Sequence, residues 1–208
     1  RREPGPRATT TSSSGPIPGA RVVAIAASTG GPAAIARVLA PLPQRFDLPI
    51  LLVQHMTEGF LEGFARHLDE TVALRVKLAE DGERLAAGTV YVAPDGHHLG
   101  VRAARVALSA APPLDGFRPS GSWLFRSVAE AYGPGAFGVI LTGMGTDGVE
   151  GLRALRAAGG RALAQDESTC VVYGMPKAAV EAGVVEAALP IADLAARMCR
   201  LVGTSCGA

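Results

Sequence analysis

Short, uninterrupted apolar runs alternate along the chain with longer stretches whose apolar residues recur every third or fourth position. The segment from Arg21 to Ala27 is the first such run; it ends in Ser28-Thr29-Gly30-Gly31-Pro32 and gives way to an alanine-rich stretch reaching Ala40. A brief apolar run, a tight turn and a proline where a helix tolerates one predict strand, turn and helix in that order. The pattern returns at Pro49-Ile50-Leu51-Leu52-Val53-Gln54, which runs into His55 and then into a segment from about Phe60 to Glu70. There Phe60, Leu61, Phe64 and Leu68 share one face of a helix.

From Leu74 to Leu108 the texture changes. Asp81-Gly82, Ala87-Gly88, Asp95-Gly96 and Leu99-Gly100 punctuate short β-rich runs such as Thr89-Val90-Tyr91-Val92, which predicts a few short strands and a hairpin. After the loop Ala111-Pro112-Pro113-Leu114-Asp115-Gly116 the pattern predicts a helix near Ser122 to Tyr132 and a strand from Phe137 to Thr142. Next come the turn Gly143-Met144-Gly145-Thr146-Asp147-Gly148, a helix to about Ala158, a strand over Ala162 to Gln165, and a helix beginning at Met175-Pro176. Continuous apolar strands alternating with helices imply an α/β fold: a doubly wound, mostly parallel sheet with helices on both faces, plus the small β-hairpin region in the middle of the chain. In such sheets the loops at the carboxyl ends of the strands build the active site.

Composition sets the limits of this picture. Residues 1–20 are rich in Arg, Pro, Gly, Thr and Ser and cannot bury enough apolar surface to offset their ordering entropy, so they are expected to form a disordered linker. The folded domain is expected over residues 21–204, with a tail at 205–208. The chain begins at Arg1 rather than a methionine, and the expectation is that it was processed or cut from something longer. A net charge of +1 without a basic block argues against nucleic acid as a partner. With no apolar stretch of about 20 residues and no signal-like N-terminus, neither membrane insertion nor export is expected, and the localisation expected is cytoplasmic. The three cysteines, Cys170, Cys199 and Cys206, fall at no metal-ligand spacing and read as structural or surface thiols of a reducing compartment.

Three of the strand-ending loops each present a residue that acyl transfer requires: Ser28, His55 and Asp147. A serine hydroxyl needs an imidazole within hydrogen-bond reach to take its proton, and a carboxylate to fix the imidazole's tautomer. The order Ser, His, Asp along the chain is not that of the α/β-hydrolases. Gly30 and Gly31 allow a sharp turn that exposes Ser28 at a helix N-terminus, and Gly143 and Gly145 let the backbone around Met144 approach a substrate carbonyl. Backbone N–H groups near Thr29 and Met144 are the expected oxyanion donors. Taken singly, each signal has a plainer meaning: a phosphate-cradling turn or helix cap for Ser28-Thr29-Gly30-Gly31, a structural histidine for His55, a turn residue for Asp147. His97 and His98 invite a metal reading, but no carboxylate or cysteine cluster completes a site. No metal and no cofactor is expected.

Several segments together resemble one family. Ala26-Ala27-Ser28-Thr29-Gly30-Gly31, Gln54-His55-Met56, Ala79-Glu80-Asp81-Gly82-Glu83, Tyr91-Val92-Ala93-Pro94, Arg118-Pro119-Ser120, Leu141 through Gly148, and Gly174-Met175-Pro176 look like the signature segments of chemotaxis-receptor methylesterase/deamidase (CheB) catalytic domains, in the same order, from about Arg21 to Val202. The resemblance implies a carboxylic ester hydrolase that cleaves γ-glutamyl methyl esters on chemoreceptor signalling helices and deamidates receptor glutamines. It implies Ser28 as nucleophile, His55 as base and Asp147 as orienting acid; the turns themselves put Thr29, Gly143 and Met144 near the oxyanion, and Arg118, in a signature segment, is expected near the substrate. Members of that family usually carry an upstream receiver domain joined by a linker, and of these two this chain shows only something like the linker. A related serine hydrolase on another substrate and a non-catalytic receptor-binding module stand as alternatives. Gly121-Ser122 departs from the Val-Asp-like pair frequent in the family, a difference expected to bear on substrate preference and not on the triad.

Overall fold

The structure, a computed structural model, describes residues 20–201. The expected linker up to Ala20 lies, apart from Ala20 itself, outside the described residues, as do the expected tail at 205–208 and the last residues of the expected domain. Nine strands and six α-helices lie within the described residues. They are β1 (Val22–Ala27), α1 (Gly31–Leu39), β2 (Ile50–Gln54), α2 (Leu61–Thr71), β3 (Arg75–Leu78), β4 (Thr89–Val92), β5 (His98–Arg102), β6 (Arg105–Ser109), α3 (Gly121–Tyr132), β7 (Ala136–Ile140), α4 (Val149–Ala157), β8 (Arg161–Gln165), α5 (Met175–Glu181), β9 (Ala187–Leu189) and α6 (Ile191–Leu201).

Seven strands form one sheet in the order β3-β4-β2-β1-β7-β8-β9, every pairing parallel, and β5 and β6 form a separate antiparallel hairpin. The expected doubly wound sheet and mid-chain hairpin are both present. Burial on two faces explains why the strands read as unbroken apolar runs. In β1, Val23, Ile25 and Ala27 face one core with Ile35, Val38, Phe64 and Leu194, while Val22, Ala24 and Ala26 face the other with Leu124, Phe125, Leu152 and Met175. Helices α1, α2 and α6 therefore cover one face, and α3, α4 and α5 the other.

The edge strand β9 and helix α6 were not foreseen. Ala187-Ala188-Leu189 is too short to read as a strand alone and is one only through its register with β8, Leu163 opposite Ala187 and Gln165 opposite Leu189. Cys170 is a free thiol, as expected. Cys199, on the buried face of α6 and 1% exposed, corrects that expectation because it is disulfide-bonded.

The order of strands places the site. The chain leaves β1 to build β2, β4 and β3 on one side, then returns to lay β7 on the other, so β1 is the switch point where a crevice opens at the carboxyl ends. The ladder extends past the strands: His55 N–H donates to Ala27 O at 2.9 Å, Leu141 N–H to Ala26 O at 2.9 Å, and Ser28 N–H to Thr142 O at 3.0 Å.

Candidate active site

Ser28 opens a turn that the backbone fixes from several sides. Its carbonyl accepts the Gly31 N–H at 2.8 Å, and Gly30 takes φ 80° and ψ −4°. This is a type II turn, whose third residue needs a positive φ and so a glycine. Because Ala27 pairs with Gln54, the next step of the same register sets Ser28 beside His55. Gln54, 1% exposed, joins the two: its Nε2 donates to the carbonyls of Ser28 at 2.9 Å and of His55 at 2.7 Å.

On the other flank Gly143 lies against Ser28, where a Cβ would come within 2.7 Å of Ser28 Cβ. Its N–H donates to Val172 O at 3.0 Å and its carbonyl accepts the amides of Gly174 and Met175. The Gly143 amide is thus committed, and the residue serves as a spacer that lets its loop approach Ser28. Thr29 is exposed and Met144 is 65% exposed, both on the rim of this crevice. Thr142 fastens β7 to this rim: its hydroxyl donates to Thr29 O and its amide to the buried Gln165 Oε1, at 3.0 and 2.9 Å.

Asp147 follows β7 in the turn before α4 and is 4% exposed. His55 Nε2 lies 2.9 Å from Asp147 Oδ2. Three further donors come from the start of α3: Ser120 Oγ at 2.8 Å, Gly121 N–H at 2.6 Å and Ser122 N–H at 3.0 Å. Burial by itself would raise the carboxyl's pKa. The hydrogen bonds from His55, from the Ser122 and Gly121 amides and from the Ser120 hydroxyl outweigh it and hold the pKa at about 2. An ionised carboxylate only accepts, so Nε2 carries a proton, and in the neutral imidazole Nδ1 keeps the lone pair. That Nδ1 is buried and has no hydrogen-bond partner among the described residues.

Residues 121 and 122 therefore touch the triad, against the expectation that their departure from the family pattern leaves it alone. Both amides hold Asp147, and Ser122 Oγ also accepts the Gly148 N–H at 2.8 Å, tying the Asp147 turn back to α3. Sequence reasoning missed this clamp, the Gln54 bridge and Phe117, whose ring stacks on His55 at 4.2 Å with the planes 8° apart. A polar residue closing an otherwise apolar buried strand was the readable signal for Gln54.

Arg118 is exposed, and its Nη1 donates to the carbonyls of Ala110 and Ala111, both at 3.2 Å. It also lines an open cleft of about 200 Å³ with Met56, Glu58, Asp95 and Gly116, beside the His55 end of the crevice. The histidine pair has partners within the fold. His97 Nδ1 donates to Asp95 O, while His98 stacks on Trp123 and donates from Nε2 to Pro112 O. Among the described residues no group of three or more His, Cys, Asp or Glu side chains could hold a metal ion. No helix among them is long and apolar enough to cross a membrane.

The arrangement has close counterparts. The family model for CheB methylesterase matches residues 23–198. A protein-glutamate methylesterase/protein-glutamine glutaminase of Myxococcus xanthus strain DK1622 is 57% identical over 178 residues, covering 85% of this chain and 50% of that protein. The protein-glutamate methylesterase FrzG of Myxococcus xanthus is 49% identical over 188 residues, covering 90% of this chain and 56% of that protein. The chain thus spans about half the length of the relatives it matches. Among solved structures, the CheB methylesterase catalytic domain of Thermotoga maritima superposes with a TM-score of 0.84 at 39% identity, covering 88% of this chain and 98% of that one. A matched segment running from β1 into α6, and so carrying the Ser28 turn, His55 and the Asp147 clamp, makes this chain a member of the CheB methylesterase family.

Proposed function

We propose that this chain is a protein-glutamate methylesterase that also deamidates protein glutamines, acting in the cytoplasm on the signalling helices of methyl-accepting chemoreceptors. The observation that carries the chemistry is the His55–Asp147 couple: a carboxylate at about 2, saturated with donors, fixes the Nε2–H tautomer and leaves Nδ1 bare. In this reading Nδ1 takes the Ser28 Oγ proton as Oγ attacks the ester carbonyl, and Asp147 stabilises the imidazolium. The amides of Thr29 and Met144 receive the oxyanion.

Collapse of the tetrahedral intermediate expels methoxide, which leaves as methanol with the proton from His55. Water, deprotonated by the same nitrogen, then cleaves the glutamyl-enzyme and leaves a carboxylate on the receptor. With a glutamine substrate the group expelled is ammonia. These side chains complete the cycle by themselves, so the reading calls for no cofactor. Arg118, at the cleft beside His55, is the group that would meet the receptor helix.

The test is methanol release from a receptor signalling domain carrying labelled methyl esters, comparing the parent with Ser28→Ala. The expected result is release that the variant loses by a factor of about 10³ or more. Activity on simple esters without release from receptor would move the substrate elsewhere; no activity on either would leave a binding module.

A further inference from the structure

Phe117 sits on a surface loop, yet the loop is unusually well tied. Leu114 and Phe117 exchange both backbone hydrogen bonds, each at 3.0 Å, across Asp115 and Gly116, whose φ angles are 52° and 84°. Two successive left-handed residues between a bonded pair make a type I′ hairpin turn, for which Asp-Gly is a favoured sequence. Arg118 closes the loop on the Ala110 and Ala111 carbonyls, and His98, itself stacked on Trp123 of α3, holds Pro112 O. Pro112, Pro113, Asp115 and Gly116 are all exposed. The ring that this scaffold presents is half-buried and lies flat on His55.

A single hydrogen bond fixes the Nε2 end of the imidazole but not the plane of the ring, which can pivot about that bond. The plane decides where Nδ1 points, and Nδ1 has no hydrogen-bond partner among the described residues to hold it. A parallel ring at 4.2 Å supplies the missing restraint. It also places a π face beside the imidazolium that forms when His55 takes a proton. We infer that Phe117 is a positioning residue for the catalytic base: it sets the plane of His55 and with it the direction of Nδ1. The inference rests on the hydrolase reading above.

The experiment compares the parent with Phe117→Leu, Phe117→Trp and Phe117→Tyr. Leucine fills the space but cannot stack; the two aromatics can. Three quantities are read: kcat and KM for methanol release, the rate at which a serine-directed phosphonate labels Ser28, and the NMR resonance of the His55 Nε2–H proton. Phe117→Leu should lower kcat and the labelling rate roughly five- to tenfold, the scale of an aromatic pair, with KM and thermal midpoint little changed. Phe117→Trp and Phe117→Tyr should recover most of that loss. A leucine variant as fast as the parent, or aromatic variants as slow as the leucine one, would overturn the assignment. If the parent neither releases methanol nor takes the label, the hydrolase reading fails separately, and the Nε2–H resonance then decides. Broadening in Phe117→Leu, with a sharp signal in the parent and Phe117→Trp, supports positioning. Equal line widths in all three refute it.

Discussion

Gly121 begins α3 with a neighbour on either side of the place where a side chain would go. Its N–H reaches Asp147 Oδ2 at 2.6 Å, while a Cβ built on it would lie 2.8 Å from Ala26 Cβ and 3.3 Å from that same oxygen. Carbon atoms rest at about 3.5–4.0 Å, so Gly121→Ala must push the start of α3 away from β1 by roughly 1 Å. Overpacking of this kind costs about 1–3 kcal/mol of stability. The displacement also stretches the two amide bonds to an ionised carboxylate, each worth about 1.5–3 kcal/mol, so turnover should fall roughly ten- to a hundredfold.

Ala26→Gly removes the methyl group in the way. Alone it destabilises by about 1 kcal/mol, for a glycine in a strand. Combined with Gly121→Ala it should give a protein at least about 1 kcal/mol more stable than the two single losses predict, and it should return much of the activity. Urea midpoints at constant slope give the stabilities, and phosphonate labelling of Ser28 gives the function. Additivity within about 0.5 kcal/mol would refute the collision as the cause. By the same reasoning a valine at 121, as in the family's Val-Asp-like pair, requires more room at position 26 than this chain provides.

Two further outcomes follow from the same contacts. Asp147 has a folded pKa of about 2 against 3.8 for the free group; a depressed carboxyl stabilises the fold fully above the higher value, and that stability is lost as pH falls toward the lower. The contribution is roughly 2 kcal/mol, so urea unfolding between about pH 5 and about pH 2 should show an acid loss in the parent that is smaller by this amount in Asp147→Asn, and identical pH dependence in the two would contradict it. Gln54→Leu should cost about 1–3 kcal/mol by leaving the His55 carbonyl without the Gln54 donor, and should slow phosphonate labelling by loosening Ser28 from His55; urea midpoints equal to the parent's would exclude the bridge as a structural tie.

The legible part of this molecule is what local pattern dictates. Strands buried on both faces read as apolar runs, and parallel connectivity sends the loops after them to one end of the sheet, so Ser28, His55 and Asp147 stood out as candidates by residue type and position together. The type II turn at Ser28 was readable through its glycines. The carboxylate's surroundings were not. Ser120, Gly121 and Ser122 reach Asp147 across 25–27 residues of chain, and two of the three contacts are made by backbone amides, which leave no trace in residue identity. Gly121 is informative only once Ala26 is known to face it. Strand β9 was illegible for a related reason, since its three residues become a strand by pairing with β8.

These gaps share a cause that bears on how the site works. The sheet supplies Ser28 and His55 from adjacent strands locked by the ladder and by Gln54, whereas the orientation of His55 comes from the other side: Asp147 held by α3, and Phe117 held by the loop before α3. Ser28 and the groups that orient His55 therefore belong to two structural halves meeting at the imidazole. Only the ladder half repeats the strand-loop pattern that a sequence displays. The α3 half depends on the register of one helix start against β1, fixed by the Ala26–Gly121 contact and by Ser122 on Gly148. A shift of that register moves the partners of His55 before it moves the Ser28 turn. Substitutions along residues 114–122 are thus expected to act on turnover through His55 while leaving the Ser28 turn intact.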